Sequence, residues 1–274
     1  MGGTDQLAIV QLDAGAAREG LLLSTEAHWN QNEADWRFFL TQGTVFGIRD
    51  GDGRLIATAA LLPYSGGNAW ISMVLVTQNW RRRGLATRLV DACLERAAAQ
   101  GLTPWLDATP AGATVYGPLG FKAVLELRRL RLADAGTRGR RLTSNSSIDE
   151  LIWRDRDAMG FERGTLLREF AGRAGSRVVS QGDALALVRD GRIARQIGPL
   201  YANDASAAVM LVEAIAASES GSLLIDVVGD HSGFLENLTS SGWSIERPFQ
   251  RMRFGRAIAP GPELPFAVAG PEFG

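Results

Sequence analysis

Residues 74–87 read Val-Leu-Val-Thr-Gln-Asn-Trp-Arg-Arg-Arg-Gly-Leu-Ala-Thr, and the reading of this stretch decides the fold. An apolar strand through Val74 and Val76 runs into a polar turn, three consecutive arginines, and a helix opening on Gly84-Leu85-Ala86. The first amides of a helix have no acceptor within it, and the helix dipole adds partial positive charge there. A strand feeding such a terminus through a glycine-containing turn aims several N–H groups at one place, an arrangement that holds phosphate. Arg81, Arg82 and Arg83 raise the local potential further. An ordinary strand-to-helix turn with solvated arginines has the same pattern, so the flanking chain must decide.

Upstream, Leu7 to Leu12 reads as a short strand, Ala14 to Trp29 and Glu33 to Thr41 as helices. Thr44 to Arg49 and Leu55 to Pro63 are strands joined by Asp50-Gly51-Asp52-Gly53, a hairpin signal, and Ala69 to Thr77 completes a meander. Downstream, Arg83 to Gln100 is amphipathic, with Leu85, Leu89, Ala92, Cys93 and Ala97 inward and Gly101 past its end. Pro104 to Ala108 is a strand, Pro110 to Leu119 a helix with Pro in its first turn, and Phe121 to Leu132 a closing strand. The order βααβββαβαβ combines a meander with helix-crossed strands, so the expected sheet is mixed and mostly antiparallel, flanked by helices: an α/β (α+β) fold.

Residues 133–147 are small, polar and basic, without hydrophobic period. The chain beyond them repeats the first half in weaker form: helices within 148–170, strands over 177–180, 184–188 and 193–200 with Asp190-Gly191 at a hairpin, then helix 204–217, strand 223–228, helix 232–240 and strand 243–254. The expected organisation is a first domain over 1–133, a linker over 134–147, a diverged copy over 148–256, and a Pro- and Gly-rich flexible tail over 257–274.

Composition narrows the function classes. The chain has 274 residues, enough for two domains; 46% are apolar and 22% charged, as in a globular protein. A formal net charge of −1 favours neither nucleic acid nor an anionic membrane as partner. Cys93 is the only cysteine, so no internal disulfide forms. No apolar run is long enough for a membrane span, and the N-terminus lacks the marks of a secretory signal, so the expected location is cytoplasmic. Two histidines and one cysteine give no metal-ligand cluster, and no metal is expected.

The stretch VLVTQNWRRRGLA, followed by LDATPAGATVYGPLGF, resembles the GNAT superfamily of acetyl-CoA-dependent N-acyltransferases. Arg81, Gly84 and Ala86 match its pyrophosphate signature Arg/Gln-x-x-Gly-x-Gly/Ala, and Tyr116, Gly120 and Phe121 match its Tyr-x-x-x-Gly-Phe ending. The resemblance covers about residues 5 to 132, and the whole chain is similar to a tandem subgroup in which a diverged GNAT-like domain comes second. It implies an acetyltransferase whose cosubstrate is acetyl-CoA. The pantetheine arm would lie in a gap beside the strand ending at Val76, pairing with backbone groups of Val74 and Val76 as an added strand does. The pyrophosphate would sit on amides from Arg82 to Thr87, including those of Leu85 and Ala86, with Gly84 and Ala86 permitting close approach.

The resemblance also makes Tyr116 the general acid that protonates the leaving thiolate. Candidates for the base that takes the amine's proton are Glu33 and His28, with Glu26 and Asp35 as further candidates on the helical region that lines the acceptor cleft in this family. Trp29, Trp36 and Tyr64 are the aromatics expected near an acceptor cleft suited to a small amine, an amino-acid derivative or a peptide. A homodimer is compatible with the sequence. The second half lacks Arg-x-x-Gly-x-Ala; Asp204 opens its corresponding helix, where it would repel phosphate, and Leu238 stands where Tyr116 does. One site per chain is expected, with a non-catalytic acyl-CoA sensor or interaction module on the same fold as the alternative. A nucleotide-binding protein would need a Walker-type Gly-Lys-Ser/Thr, which the turn does not have.

Overall fold

A computed structural model of the chain describes residues 7–136, 142, 147–256 and 264–274. It divides into two compact units, one of residues 1–106 with Phe273, the other of residues 107–272 with Gly274.

In the first unit, β1 (Ile9–Leu12), β2 (Thr44–Arg49), β3 (Leu55–Tyr64) and β4 (Asn68–Val76) pair antiparallel in chain order, and β5 (Thr103–Ala108) joins β4 in parallel. The β2–β3 hairpin turns where Asp-Gly predicts it. The Asp50 carboxylate accepts from the Asp52 and Arg54 amides, and Gly53 takes φ 81°, which its missing side chain allows. The predicted first helix is shorter than its apolar pattern: a 3-10 turn over Ala14–Ala16 leads into α1 (Ala17–Glu26). Helix α2 (Glu33–Gln42) starts on a capping box in which Asn32 and Asp35 each bond the other's backbone amide. Trp36 is fully buried against Gly20, where a Cβ would lie 2.4 Å from the indole, and its Nε1 donates to Ser24 Oγ at 2.8 Å. It is a core residue and no part of an acceptor cleft. Helix α3 (Leu85–Ala99) buries Leu85, Leu89, Val90, Cys93 and Ala97, and Gly101 at φ 66° ends it. The Phe273 ring stacks on Phe39 at 4.8 Å, and Tyr64 Oη donates to the Phe273 carbonyl at 2.8 Å.

The second unit contains α4 (Pro110–Tyr116), β6 (Phe121–Ala135), α5 (Ile148–Met159), α6 (Gly164–Gly172), β7 (Arg177–Gln181), β8 (Ala184–Arg189), β9 (Arg195–Tyr201), α7 (Ala205–Ser218), β10 (Gly221–Val228), α8 (Ser232–Ser240) and β11 (Ser244–Phe254). Its strands lie in the order β11-β6-β10-β9-β8-β7, antiparallel throughout except for β9 beside β10. The element order of the second repeat matches its sequence reading. Packing divides the chain elsewhere than the repeat does: β6, which closes the first repeat in sequence, is hydrogen-bonded on one edge to β11 and on the other to β10. Of the stretch 134–147, Asp134 and Ala135 still belong to β6, and residues 137–141 and 143–146 lie outside the described residues.

Three buried arginines tie the second unit together. Arg129 grips Asp226 through two 2.8 Å bonds, Arg163 grips Asp155 at 2.8 and 2.7 Å, and Arg251 grips Asp107 at 2.9 and 2.8 Å. Burial lifts the Asp107 carboxyl above the ordinary value even with Arg251 beside it. Burial and the Asp155 carboxylate likewise raise the Tyr201 phenol, which donates to Asp155 at 2.8 Å.

Residues 257–263 fall outside the described residues, but the rest of the expected tail is packed inside: every residue from Pro265 to Gly274 is buried. The Pro and Gly content that suggests mobility surrounds an apolar core, Phe266-Ala267-Val268, that the second unit buries.

Candidate active site

The site is built on β4 and the turn after it. β4 pairs with β5 at Asn68, Ala69 and Trp70, opposite Thr103, Pro104 and Trp105, and then continues beyond this ladder to Val76. A bulge intervenes. Leu75 faces Thr58 and Ser72 faces Ala60 on β3, so Met73 and Val74 together oppose Ala59. Met73 adopts φ 51°, and Thr58 Oγ1 holds its carbonyl at 2.8 Å inside the core. A bulge bends its strand and re-aims the residues after it. Here Val74 belongs to the bulge and Val76 follows it, and both are half-buried.

After Val76 the chain makes a 3-10 turn over Gln78–Trp80 and passes Arg81, Arg82 and Arg83, all exposed, into α3. Arg81 Nε donates back to the Val76 carbonyl at 3.0 Å, Arg83 donates to the Asn79 carbonyl at 3.0 Å, and the Arg83 guanidinium covers the Trp80 ring at 4.7 Å. The Glu26 carboxylate accepts from the Gln78 amide at 2.6 Å, fixing the end of α1 to this turn. Arg82 and Gly84 both have positive φ, 59° and 78°.

Gly84 is the N-cap of α3, and no side chain caps the amides of the first turn. A Cβ placed on Gly84 would meet no atom within 4 Å, so the helix opens onto free space. An uncapped helix terminus, a glycine that leaves the approach clear, and three exposed guanidinium groups fit a diphosphate in charge and shape. The half-buried edge of β4 beyond its ladder fits an amide-containing chain lying alongside.

The second repeat departs from this at the same place. Helix α7 begins on Asp204, whose carboxylate accepts from the Ala207 amide at 2.9 Å. The cap satisfies an amide that a phosphate would otherwise take and puts a negative charge in its position.

Val74, Val76 and residues 81–87 follow one another along the end of β4, the 3-10 turn and the start of α3. The other predicted residues are set apart from these in sequence and have their own local partners. Glu33, at the start of α2, pairs with Arg37 at 2.6 Å and Arg18 at 3.9 Å. His28 is exposed in the α1–α2 connection at φ 57°. Tyr116 ends α4 in the second unit, half-buried, its ring tilted against Phe121 at a centroid distance of 6.0 Å. One turn earlier, a Cβ at Gly112 would lie 2.9 Å from Tyr116 Cε2, so this glycine makes room for the phenol ring.

Burial pushes the Cys93 thiol up to about 12 and leaves it fully covered. Among the described residues no cluster of His, Cys, Asp and Glu could hold a metal ion, and no helix is long and apolar enough to cross a membrane. Met73, Thr58 and Gly112 are positions that the sequence does not assign to the site's frame, and Glu26, a base candidate in sequence, instead accepts from the Gln78 amide. A bulge has no local signature in β4, and the contacts of Thr58 and Glu26 reach across the fold.

Comparison with known proteins shows the family of this fold. The model of the acetyltransferase (GNAT) family matches residues 14–121, and a second acetyltransferase (GNAT) domain model matches residues 152–263. An uncharacterized N-acetyltransferase of Bacillus subtilis, YitH, is 23% identical over 237 residues, 82% of this chain and 83% of that protein. A crystal structure from Pyrococcus horikoshii, provisionally assigned as an acetyltransferase, superposes with a TM-score of 0.79 at 18% identity, covering 97% of this chain and 95% of the other. A tandem GNAT protein from the clavulanic acid biosynthesis pathway gives a TM-score of 0.63 at 15% identity over 90% and 98% of the two chains. With one GNAT match on each repeat and the fold shared along nearly the whole length, the chain belongs to the GNAT acetyltransferases, as a tandem of two GNAT domains.

Proposed function

We propose that the chain transfers an acetyl group from acetyl-CoA to a primary amine by direct attack, using its N-terminal domain alone. The observation that carries this reading is the contrast between two helix starts. α3 opens on Gly84 with no side-chain cap and three exposed arginines before it, whereas α7 is closed by Asp204. Bound acetyl-CoA supplies an activated thioester carbonyl. The amides of residues 82–87 hold the diphosphate, with Arg81 to Arg83 adding charge-assisted bonds. Backbone groups of Val74 and Val76 align the carrier arm, and an N–H near Val76 stabilises negative charge on the carbonyl oxygen. The Tyr116 phenol gives its proton to the departing sulfur, and the amine's proton passes to His28 or Glu33. Glu33 is already engaged by Arg37 at 2.6 Å and Arg18 at 3.9 Å, whereas the His28 side chain is exposed in the connection between α1 and α2.

Direct transfer is supported by Cys93. The chain's single thiol is fully buried and holds its proton to about 12, so it cannot carry the acetyl group as a covalent relay.

The test is an amine-library screen that follows CoA release, with Tyr116→Phe as control. Turnover of a primary amine is expected, and the Phe variant should lose on the order of 10²-fold in kcat while its acetyl-CoA dissociation constant stays within about twofold. A Phe variant with full turnover across the pH range would remove Tyr116 from the chemistry. Binding of acetyl-CoA without transfer to any amine would favour the sensor reading.

A further inference from the structure

Strands β9 and β10 pair in parallel at only three positions, Arg195 with Leu223, Gln196 with Leu224 and Ile197 with Ile225. Across Gly198 and Pro199 the register of β9 against β8 shifts, so that Ile197 faces Val188 and Leu200 faces Ala186. The two strands then part. This is the construction seen in the first repeat, where β4 and β5 pair at three positions and β4 bulges at Met73. In the second repeat the opening is filled by the chain itself. Ala267 bridges antiparallel to Leu200 on β9 and to Val227 on β10. The Leu200 amide donates to the Ala267 carbonyl at 2.9 Å, and the Phe266 amide donates to the Leu200 carbonyl at 2.8 Å. On the other side, the Val228 amide donates to the Phe266 carbonyl at 3.2 Å, and the Val268 amide donates to the Asp226 carbonyl at 3.0 Å.

Side chains lock the segment in place. The Phe266 ring lies on His231 at 4.0 Å and meets Phe234 edge-on at 5.3 Å. His231 Nε2 is 3.1 Å from the Pro265 carbonyl oxygen, and Arg189 donates to the Ala269 carbonyl at 3.1 Å. Opposite the segment stands Gly198, where a Cβ would come within 2.0 Å of the Val268 carbonyl oxygen. Ala267, Val268 and Ala269 have no exposed surface.

We infer that the slot between β9 and β10 is a binding site for an extended peptide, occupied by residues 265–269 as an internal strand in the position where a GNAT domain takes the arm of its acyl carrier. The correspondence with an acyl-carrier slot rests on the function proposed above for β4; the peptide occupancy rests on the hydrogen bonds alone. An extended peptide suits the opening because it offers N–H and C=O groups on both edges at once, as strand addition requires. The occupant excludes an acyl-CoA arm from the second domain, in agreement with the independent closure of α7 by Asp204.

Hydrogen exchange on the full-length protein tests the slot. The Leu200, Val228 and Val268 amides should exchange slowly in the wild type. Val268→Pro deletes one donor, and should speed exchange at Leu200 and Val228 at least about tenfold while leaving the β7–β8 ladder protected. A synthetic peptide of residues 264–274, added to that variant, should restore the protection. Gly198→Ala pushes on the segment from the opposite side and should reproduce the effect, which keeps the test decisive if the proline variant does not fold. Fast exchange at Leu200 and Val228 in the wild type, or protection unchanged in both variants, overturns the inference. Native mass spectrometry with CoA separates the two readings: two CoA per chain overturns the occupied slot, whereas none overturns the function proposed for β4 and leaves the slot standing.

Discussion

Gly84→Asp transplants the α7 arrangement onto α3 and tests whether the open helix start is the diphosphate site. Its effect has two parts that a second variant, Gly84→Ala, separates. Both replacements put a side chain on a residue with φ 78°, at about 1–2 kcal/mol. Neither meets a clash, since the space around a Cβ there is open to 4 Å. The backbone at Asp204, φ −149°, is extended, so an aspartate held at 78° gains little of its capping energy. Both variants should therefore melt lower by roughly 2–8 °C, using about 2–4 °C per kcal/mol for a chain of this size. Only the aspartate adds charge. One unit charge about 6 Å from a phosphate costs roughly 0.7–2.8 kcal/mol for effective dielectric constants between about 80 and 20. That converts to a weakening of acetyl-CoA binding by about 3- to 100-fold relative to the alanine variant. Calorimetric titration at low ionic strength measures the difference, which should shrink in about 0.5 M salt as screening sets in. Equal affinities for Ala and Asp at low salt, with both proteins folded, would refute the assignment of α3 as the anion site.

The same contacts set further outcomes. Gly112→Ala drives the Tyr116 ring from its place through a 2.9 Å contact, so kcat should fall about tenfold or more with acetyl-CoA affinity retained and melting changed by only a few degrees. Gln31→Met removes a buried oxygen that has no hydrogen-bond partner among the described residues, so the melting temperature should be unchanged or raised. Cys93 sets an alkaline limit on stability. Its thiol is raised by burial from an ordinary 9.0 to about 12, so between these values the folded state binds more protons than the unfolded one. Stability is then full below the ordinary value and drops by about 1.4 kcal/mol per pH unit above it. Urea titrations between pH 8.5 and 11 should show this slope reduced in Cys93→Ala. The same burial keeps Cys93 from reacting with a thiol reagent used to follow CoA release.

Local chemistry made much of the fold legible. Asp50-Gly51 and Asp190-Gly191 mark turns, Asn32 and Asp35 cap a helix, and the β4–α3 connection carries its own punctuation in Arg81–Gly84. What depends on distant partners was not legible. Glu33 pairs with Arg18 in the preceding helix, and Trp36 is drawn into the core by Gly20, a contact no helical period announces. β6 reads as the last strand of the first repeat because its apolar pattern is local, yet both its edges bond to the second repeat. The C-terminal stretch misleads for a related reason. Proline and glycine report on backbone freedom in the unfolded chain, and the fold removes that freedom by pairing Phe266 and Val268 with β9 and β10. His231, without a motif in sequence, gains its role only when that segment arrives beside it.

The occupied slot and the closed helix in the second domain have one physical cause. Two parallel strands that part inside a protein expose amides and carbonyls to a space too narrow for bulk water, and each unpaired buried group costs about 1–3 kcal/mol. A domain that binds an acyl carrier offsets this only when loaded. In the second domain the segment around Ala267 supplies donors and acceptors to both strands. At the start of α7 the Asp204 carboxylate likewise satisfies the Ala207 amide. A side-chain cap on α3 or a peptide wedge beside β4 would stabilise the first domain in the same way and would block its ligand. On the function proposed above, α3 begins on Gly84 because a capping side chain there would compete with the diphosphate for the same amides.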